Sequence, residues 1–278
     1  MRKFSEMCSC YLRLNLTSRL RSYAWYFRGM SIPDYVRQMV RRPAPTGCSV
    51  IPGTTPVVSF GNPTRAKVAT LGINPSKSEF LDKSGAMLTK DKQRLATLPS
   101  LGASRCEELT DAQVLEVVRW CNRYFQGNWY KRWFQQLEKH VLPPSNLSYL
   151  DGSVCHLDLV QWATDPVWQL LEQKTETKRL MDEGVEHLRA QLETESIKTV
   201  VVLGRGVWDQ IEKTGLADFE DVETITISRG RAKSTLRIGS GCGAKFLGWT
   251  SNIQSQPGIT NEDRVAFGTW LADNCRSS

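Results

Sequence analysis

The chain has 278 residues, 40% hydrophobic and 23% charged, a balance ordinary for a soluble globular protein long enough to bury a full core. No apolar run approaches the roughly 20 residues of a membrane-spanning helix, and the N-terminus lacks the continuous apolar stretch of a secretory signal, so a cytoplasmic protein is expected. Eight cysteines occur without a Cys-x-x-Cys pair, and His140, His156 and His187 show no ligand spacing, which predicts reduced, buried thiols and no metal site.

The net charge of +7 is unevenly placed. Residues 1–50 hold nine Lys or Arg against Glu6 and Asp34, and the rest of the chain is neutral. Such a stretch suits a polyanion, most simply nucleic-acid phosphates. A solvated face that aids solubility is the competing explanation, and an Arg-rich transit peptide a third.

In chain order, residues 1–50 predict a basic helical extension. One helical pattern runs from Leu16 to Arg28, and a second begins after Ser31-Ile32-Pro33, a helix-entry signal. Arg42-Pro43-Ala44-Pro45-Thr46-Gly47 reads as a linker. Residues 51–278 then form the body. Four apolar, β-branched runs punctuate it: Val68–Ile73, Ser153–Val160, Lys198–Leu203 and Ala244–Trp249. Helical patterns fall at Asp111–Phe125, Trp129–Val141, Thr177–Leu192 and Arg264–Leu271. The alternation predicts an α/β fold, a three-layer α/β/α arrangement around a central four-stranded parallel sheet. The alternating runs Glu223–Ile227 and Ser234–Ile238 flank Ser228–Lys233 and predict a β-hairpin insertion with a basic tip. That tip either touches phosphate or blocks edge pairing.

Ligands of open α/β sheets bind beyond the C-terminal ends of the strands. The first strand delivers Asn74, Pro75 and Ser76 to that edge. The second delivers His156, Asp158 and Gln161-Trp162, the third Gly204-Arg205-Gly206, and the fourth the amide-rich stretch 250–258. The set is polar and poor in strong nucleophiles. It favours chemistry by a placed water, hydrogen bonds and shape over covalent catalysis. Gly204-Arg205-Gly206 also admits a nucleotide-binding α/β protein, though the motif is too short for a dinucleotide fingerprint.

Over residues 51–278 the sequence resembles the uracil-DNA glycosylase superfamily. The resemblance rests on Pro56–Pro63, on Gly72-Ile73-Asn74-Pro75-Ser76, on the aromatic stretch Asn128–Phe134, on Cys155–Val160, on Val200–Gly204 and on the Ser/Asn/Gln loop 250–258, in that order. It implies that Asn74, in the manner of the mismatch-type branch, orients a hydrolytic water toward the anomeric carbon. An amide is no general base near neutral pH, so bond breaking must lead, with fixed donors stabilising the departing base. Ser76 falls where uracil-selective members place a bulky gate against C5 substituents, so a small residue leaves room there. Phe80 is a candidate to stack on the extruded base. Ser251 and Asn252 stand nearest the position of the family's missing loop His, and Gln254, Ser255 and Gln256 are candidates to fill the vacated base stack. Lys77, Lys131, Arg132 and Lys245 are candidates to hold the DNA backbone.

Each assignment has a plainer rival. Asn74 serves equally as a turn cap. Ser76-Lys77-Ser78-Glu79 has the form of a helix capping box. Phe80 suits a hydrophobic role in the first helical turn. On the second strand His156 and Asp158 replace the Asn expected of a uracil reader. They point the same way. An ionised Asp accepts only, which suits an exocyclic amine such as cytosine N4, with His156 donating to O2. A buried structural His–Asp pair is the rival.

The resemblance therefore implies a monofunctional DNA glycosylase without cofactor. Its partner is double-stranded DNA bearing a modified or damaged base, with no membrane and no obligate protein partner. The expected substrate is a C5-modified cytosine, such as glucosylated hydroxymethylcytosine in phage DNA. Uracil or mismatch repair, and a non-catalytic DNA-binding module of the same fold, are the alternatives.

Overall fold

A computed structural model describes residues 32–227 and 230–275. The helix expected at 16–28, and Ser228 and Arg229 of the hairpin tip, lie outside the described residues. The chain divides into two compact units, Met1–Asp34 and Tyr35–Ser278. All six strands belong to the second unit.

The centre of that unit is a mixed sheet. Strands β1 (Val68–Gly72), β2 (Val154–Asp158), β3 (Thr199–Leu203), β4 (Asp218–Ile227), β5 (Ala232–Gly241) and β6 (Ala244–Trp249) lie in the order β2-β1-β3-β6-β5-β4. The stretch β2-β1-β3-β6 is parallel, and β5 is antiparallel to both neighbours. Residues of β1, β2 and β3 are buried at every position, as parallel strands covered on two faces should be.

The expected four-stranded parallel sheet is corrected to a six-stranded mixed one. The hairpin is no separate insertion: β5 pairs along β6, with Leu236 opposite Trp249 and Ile238 opposite Leu247. The reason lies in Gly239-Ser240-Gly241-Cys242-Gly243, which reads as a loop. In fact β5 runs through Gly241, and Cys242 (φ 49°) and Gly243 (φ 73°) make the two-residue left-handed turn that a tight hairpin needs.

Seven α-helices accompany the sheet among the described residues: α1 (Asp34–Val40), α2 (Leu98–Leu101), α3 (Asp111–Asn122), α4 (Lys131–Gln136), α5 (Lys174–Thr194), α6 (Arg205–Thr214) and α7 (Asn261–Cys275). The pattern expected from Trp129 to Val141 begins later, and its second half widens into a π turn over Leu137–Val141. Helices lie against both sides of the sheet. On one, Phe134 of α4 meets His156 at 5.1 Å and Phe267 of α7 meets Trp249 at 4.9 Å between ring centres. On the other, Trp208 of α6 meets Phe219 at 4.7 Å, and Phe219 aligns through Gly239 with Phe246. Trp162, Trp208, Trp249, Phe134 and Phe246 are among the largest fully buried side chains; burying each large apolar side chain contributes roughly 1.5–3 kcal/mol.

The boundary expected near residue 50 lies earlier. The Tyr35 hydroxyl donates to Glu195 at 2.5 Å, Arg41 binds the Leu109 carbonyl at 2.7 Å and Asp111 at 2.6 Å, and Arg42 binds the Glu183 carbonyl at 2.9 Å. Residues 35–50 are thus part of the larger unit, and some of the basic excess is spent on its own acceptors. No helix among the described residues is long and apolar enough to cross a membrane.

Candidate functional site

The four parallel strands end at one edge, where a cavity of about 380 Å³ opens. All four contribute to its wall: Asn74 and Ser76 after β1, His156 and Asp158 from β2, Gly204 and Arg205 after β3, Thr250 and Asn252 after β6. The volume falls within the roughly 300–1,000 Å³ of small-molecule sites.

Asn74 is half-buried in this wall. Its amide nitrogen donates to the Trp162 carbonyl and to the Thr164 hydroxyl, each at 3.2 Å. That leaves the amide oxygen as the acceptor end of a side chain held in place. The turn after it is short. The Ser76 hydroxyl accepts from the Ser78 N–H at 3.2 Å and caps the single 3₁₀ turn Lys77–Glu79. The reciprocal half of a capping box is not made, because the Glu79 carboxyl turns inward to Tyr124.

His156 and Asp158 stand side by side on β2, with His156 Nε2 3.3 Å from Asp158 Oδ1. Thr70 Oγ1 holds His156 Nδ1 at 2.8 Å, and the Tyr149 hydroxyl lies 2.7 Å from the same Thr70 oxygen. The pair therefore has the fixed geometry of a structural pair and also lines the cavity. Gly72 of β1 makes room for it: a Cβ there would sit 2.5 Å from Asp158 Oδ1 and 3.1 Å from the imidazole. The other carboxyl oxygen, Asp158 Oδ2, is buried without a hydrogen-bond partner.

Glu79 lines the same cavity and is 2% exposed. The Tyr124 hydroxyl shares its proton between the two Glu79 oxygens, at 2.8 and 2.7 Å, and itself accepts from the Tyr130 N–H at 2.8 Å. Burial pushes the Glu79 carboxyl up to about 8; the Tyr124 hydrogen bond and nearby Arg94 oppose the rise, and Asp158 adds to it. Glu79 thus holds its proton near neutral pH. Phe60, Tyr130, Trp133, Phe134 and Trp168 supply an aromatic wall.

On the β3 side, Gly204 adopts φ 96°, open to glycine, and its N–H donates to the Trp249 carbonyl at 3.1 Å. The Arg205 N–H donates to the Thr250 carbonyl at 2.9 Å. These bonds tie the turn after β3 to the start of the 250–258 loop and close that side of the site.

Of the residues expected to act here, Asn74, Ser76, Lys77, His156, Asp158 and Asn252 share the cavity. Lys77 at its rim pairs with Asp165 at 2.8 Å. Lys131 and Arg132 are exposed at the start of α4, next to the cavity-lining Tyr130 and Trp133. Ser255 is exposed and Gln256 half-buried in the last loop, which is braced by Asn252: its Oδ1 accepts from the Ser255 N–H and its carbonyl from the Gln256 N–H.

Four expectations are corrected. Phe80 is 1% exposed and packs into the core outside the cavity, so it offers no face to a base. Ser251 is buried, its N–H spent on Ser234 Oγ at 3.2 Å. Gln254 is buried as well, so neither it nor Ser251 reaches a DNA stack. Lys245 is the second residue of β6, at the opposite end of the strands, where it pairs with Thr199 in register and its amine donates to the Asn274 carbonyl at 2.8 Å.

Glu79 and Trp168 were missed as site residues. The only signal for Glu79 was an acid five positions after Asn74 within one tight turn, and none marked Trp168. Among the described residues no cluster of His, Cys, Asp and Glu could hold a metal ion. No known protein-family model matches the chain, and no curated protein matches it in sequence.

Proposed function

We propose that the protein is a monofunctional DNA glycosylase that hydrolyses the N-glycosidic bond of a flipped pyrimidine and leaves an abasic site. The observation that carries this reading is the convergence of Asn74, with its nitrogen anchored and its oxygen as the acceptor end, on one base-sized cavity with Asp158, His156 and Asn252. Flipping brings a base into such a pocket, where its edge is read by hydrogen bonds. Asn74 then orients a water beneath the anomeric carbon. As the C1′–N1 bond lengthens, the electron pair passes to the base and positive charge develops on the sugar. Water attack at C1′ completes hydrolysis with loss of a proton to solvent. Lys131 and Arg132 are placed to hold phosphates beside the mouth.

The substrate we favour is a C5-modified cytosine, of which glucosylated hydroxymethylcytosine in phage DNA is one. Its support is the acceptor-only Asp158 facing the cavity and the small Ser76 in the turn. The test is incubation with duplexes bearing uracil, a thymine mismatch or modified cytosine, followed by alkaline strand scission. Release of modified cytosine supports the reading, release of uracil or thymine alone moves the protein to repair, and inactivity on all three overturns it. Asn74→Ala should lower base release at least about 100-fold while DNA affinity changes little.

A further inference from the structure

Two carboxyl groups face this cavity, and they differ. Asp158 Oδ1 is held by His156, while Oδ2 is buried and unpartnered. Such an oxygen is costly unless a ligand supplies a donor. Glu79 is oriented by Tyr124, whose hydroxyl donates to it and whose oxygen is already occupied by the Tyr130 N–H. With the Tyr124 hydroxyl donating to Glu79 and its oxygen engaged by Tyr130, a Glu79 O–H has the cavity that Glu79 lines to donate into. The other charged or titratable groups around it are Arg94, which binds the Ser78 carbonyl, Lys77, Tyr130, His156 and Arg205.

We propose that Glu79, as a neutral carboxylic acid, and Asp158, as a carboxylate, form a donor–acceptor pair that selects a 4-aminopyrimidine. The Glu79 O–H donates to ring N3, and Asp158 Oδ2 accepts from the N4 amine. A 4-oxopyrimidine presents the reverse pattern, an N3–H donor and an O4 acceptor, and meets a donor with a donor and an acceptor with an acceptor. A bidentate pair of this kind discriminates by about 10- to 100-fold. The burial that keeps Glu79 protonated up to about pH 8 gives the selection a pH limit. The assignment rests on the glycosylase reading for its biological substrate, though base selection by the pocket is measurable without catalysis.

The experiment is titration calorimetry of the full chain with the free bases 5-hydroxymethylcytosine and 5-hydroxymethyluracil at pH 6.5 and pH 9, run beside base release from duplexes carrying each. The wild type should bind 5-hydroxymethylcytosine at least about 10-fold more tightly at pH 6.5, and that affinity should fall about tenfold by pH 9 as Glu79 ionises. Glu79→Gln keeps an N–H donor with its oxygen on Tyr124, so it should keep the preference at pH 6.5 and lose the decline at pH 9. Glu79→Leu should abolish the preference, and Asp158→Asn should shift it toward 5-hydroxymethyluracil. No wild-type preference, or an undiminished pH decline in Glu79→Gln, overturns the pair. Selective binding of the free base with no release from any duplex supports the pair and sinks the glycosylase reading. Equal release of both bases sinks the pair and leaves that reading intact.

Discussion

A buried acid that keeps its proton must cost stability as pH rises, and Glu79 allows the cost to be worked out. Its ordinary value of 4.5 applies in the unfolded chain, and burial raises it to about 8 in the folded protein. A group raised on folding stabilises fully below its unfolded value, and that contribution is lost as pH climbs toward the folded one. From pH 5 to pH 7 the loss is on the order of 3 kcal/mol, at about 1.4 kcal/mol per pH unit. Glu79→Gln removes the titration but retains the shape and an acceptor for Tyr124. Thermal melts of both proteins at pH 5, 7 and 9 isolate the effect, because any fixed cost of the amide is the same at each pH. The wild type should fall relative to the variant by roughly 6–12 °C between pH 5 and pH 7, with little further change beyond about pH 8. A gap that does not move with pH would refute a proton held on Glu79.

Gly72→Ala should disable the site while sparing the fold: its methyl would lie 2.5 Å from Asp158 Oδ1, so the acceptor must shift. We expect a stability loss of about 1–3 kcal/mol and a drop in base affinity far larger than that of Glu79→Gln, read by calorimetry. His187 is buried against Tyr35, ring centres 5.3 Å apart, and desolvation drives its imidazole down to about 3. A group lowered in this way stabilises above its ordinary value of 6.5, and the benefit is lost as pH falls toward 3. Denaturant titrations should therefore show the wild type losing on the order of 2 kcal/mol from pH 7 to pH 5 relative to His187→Phe; parallel curves would count against a neutral buried imidazole.

The parallel half of the sheet was legible because its strands are buried on two faces and read as unbroken apolar runs. The reach of β5 was not, since Gly239 and Gly241 carry no side-chain pattern and their place in the ladder is set by β6. At the site, the tight turn after β1 announced Asn74, and alternation put His156 and Asp158 on one side of β2. Glu79 was obscured by a local motif that predicts a helix cap; only Tyr124, 45 positions away, draws its carboxyl into the cavity wall. Gln254 and Ser251 looked like surface residues of a polar loop. Ile253, fully buried between them, draws that loop into the body. Sequence spacing records neither kind of long-range pull.

The outermost strand, β4, turns Asp218, Glu220, Asp221 and Glu223 to solvent, and among the described residues Asp221 is matched by an arginine, Arg237 at 2.7 Å. From Asp218 to Glu223 this edge is acidic, while Arg231 and Lys233 lie toward the far end of the same hairpin. The acidic stretch repels the exposed margin of any other sheet, and it also repels a phosphate chain. Any polyanion drifting in along that stretch meets like charge, so the molecule's own field sorts approach directions before contact. Raising the salt concentration should blunt this sorting.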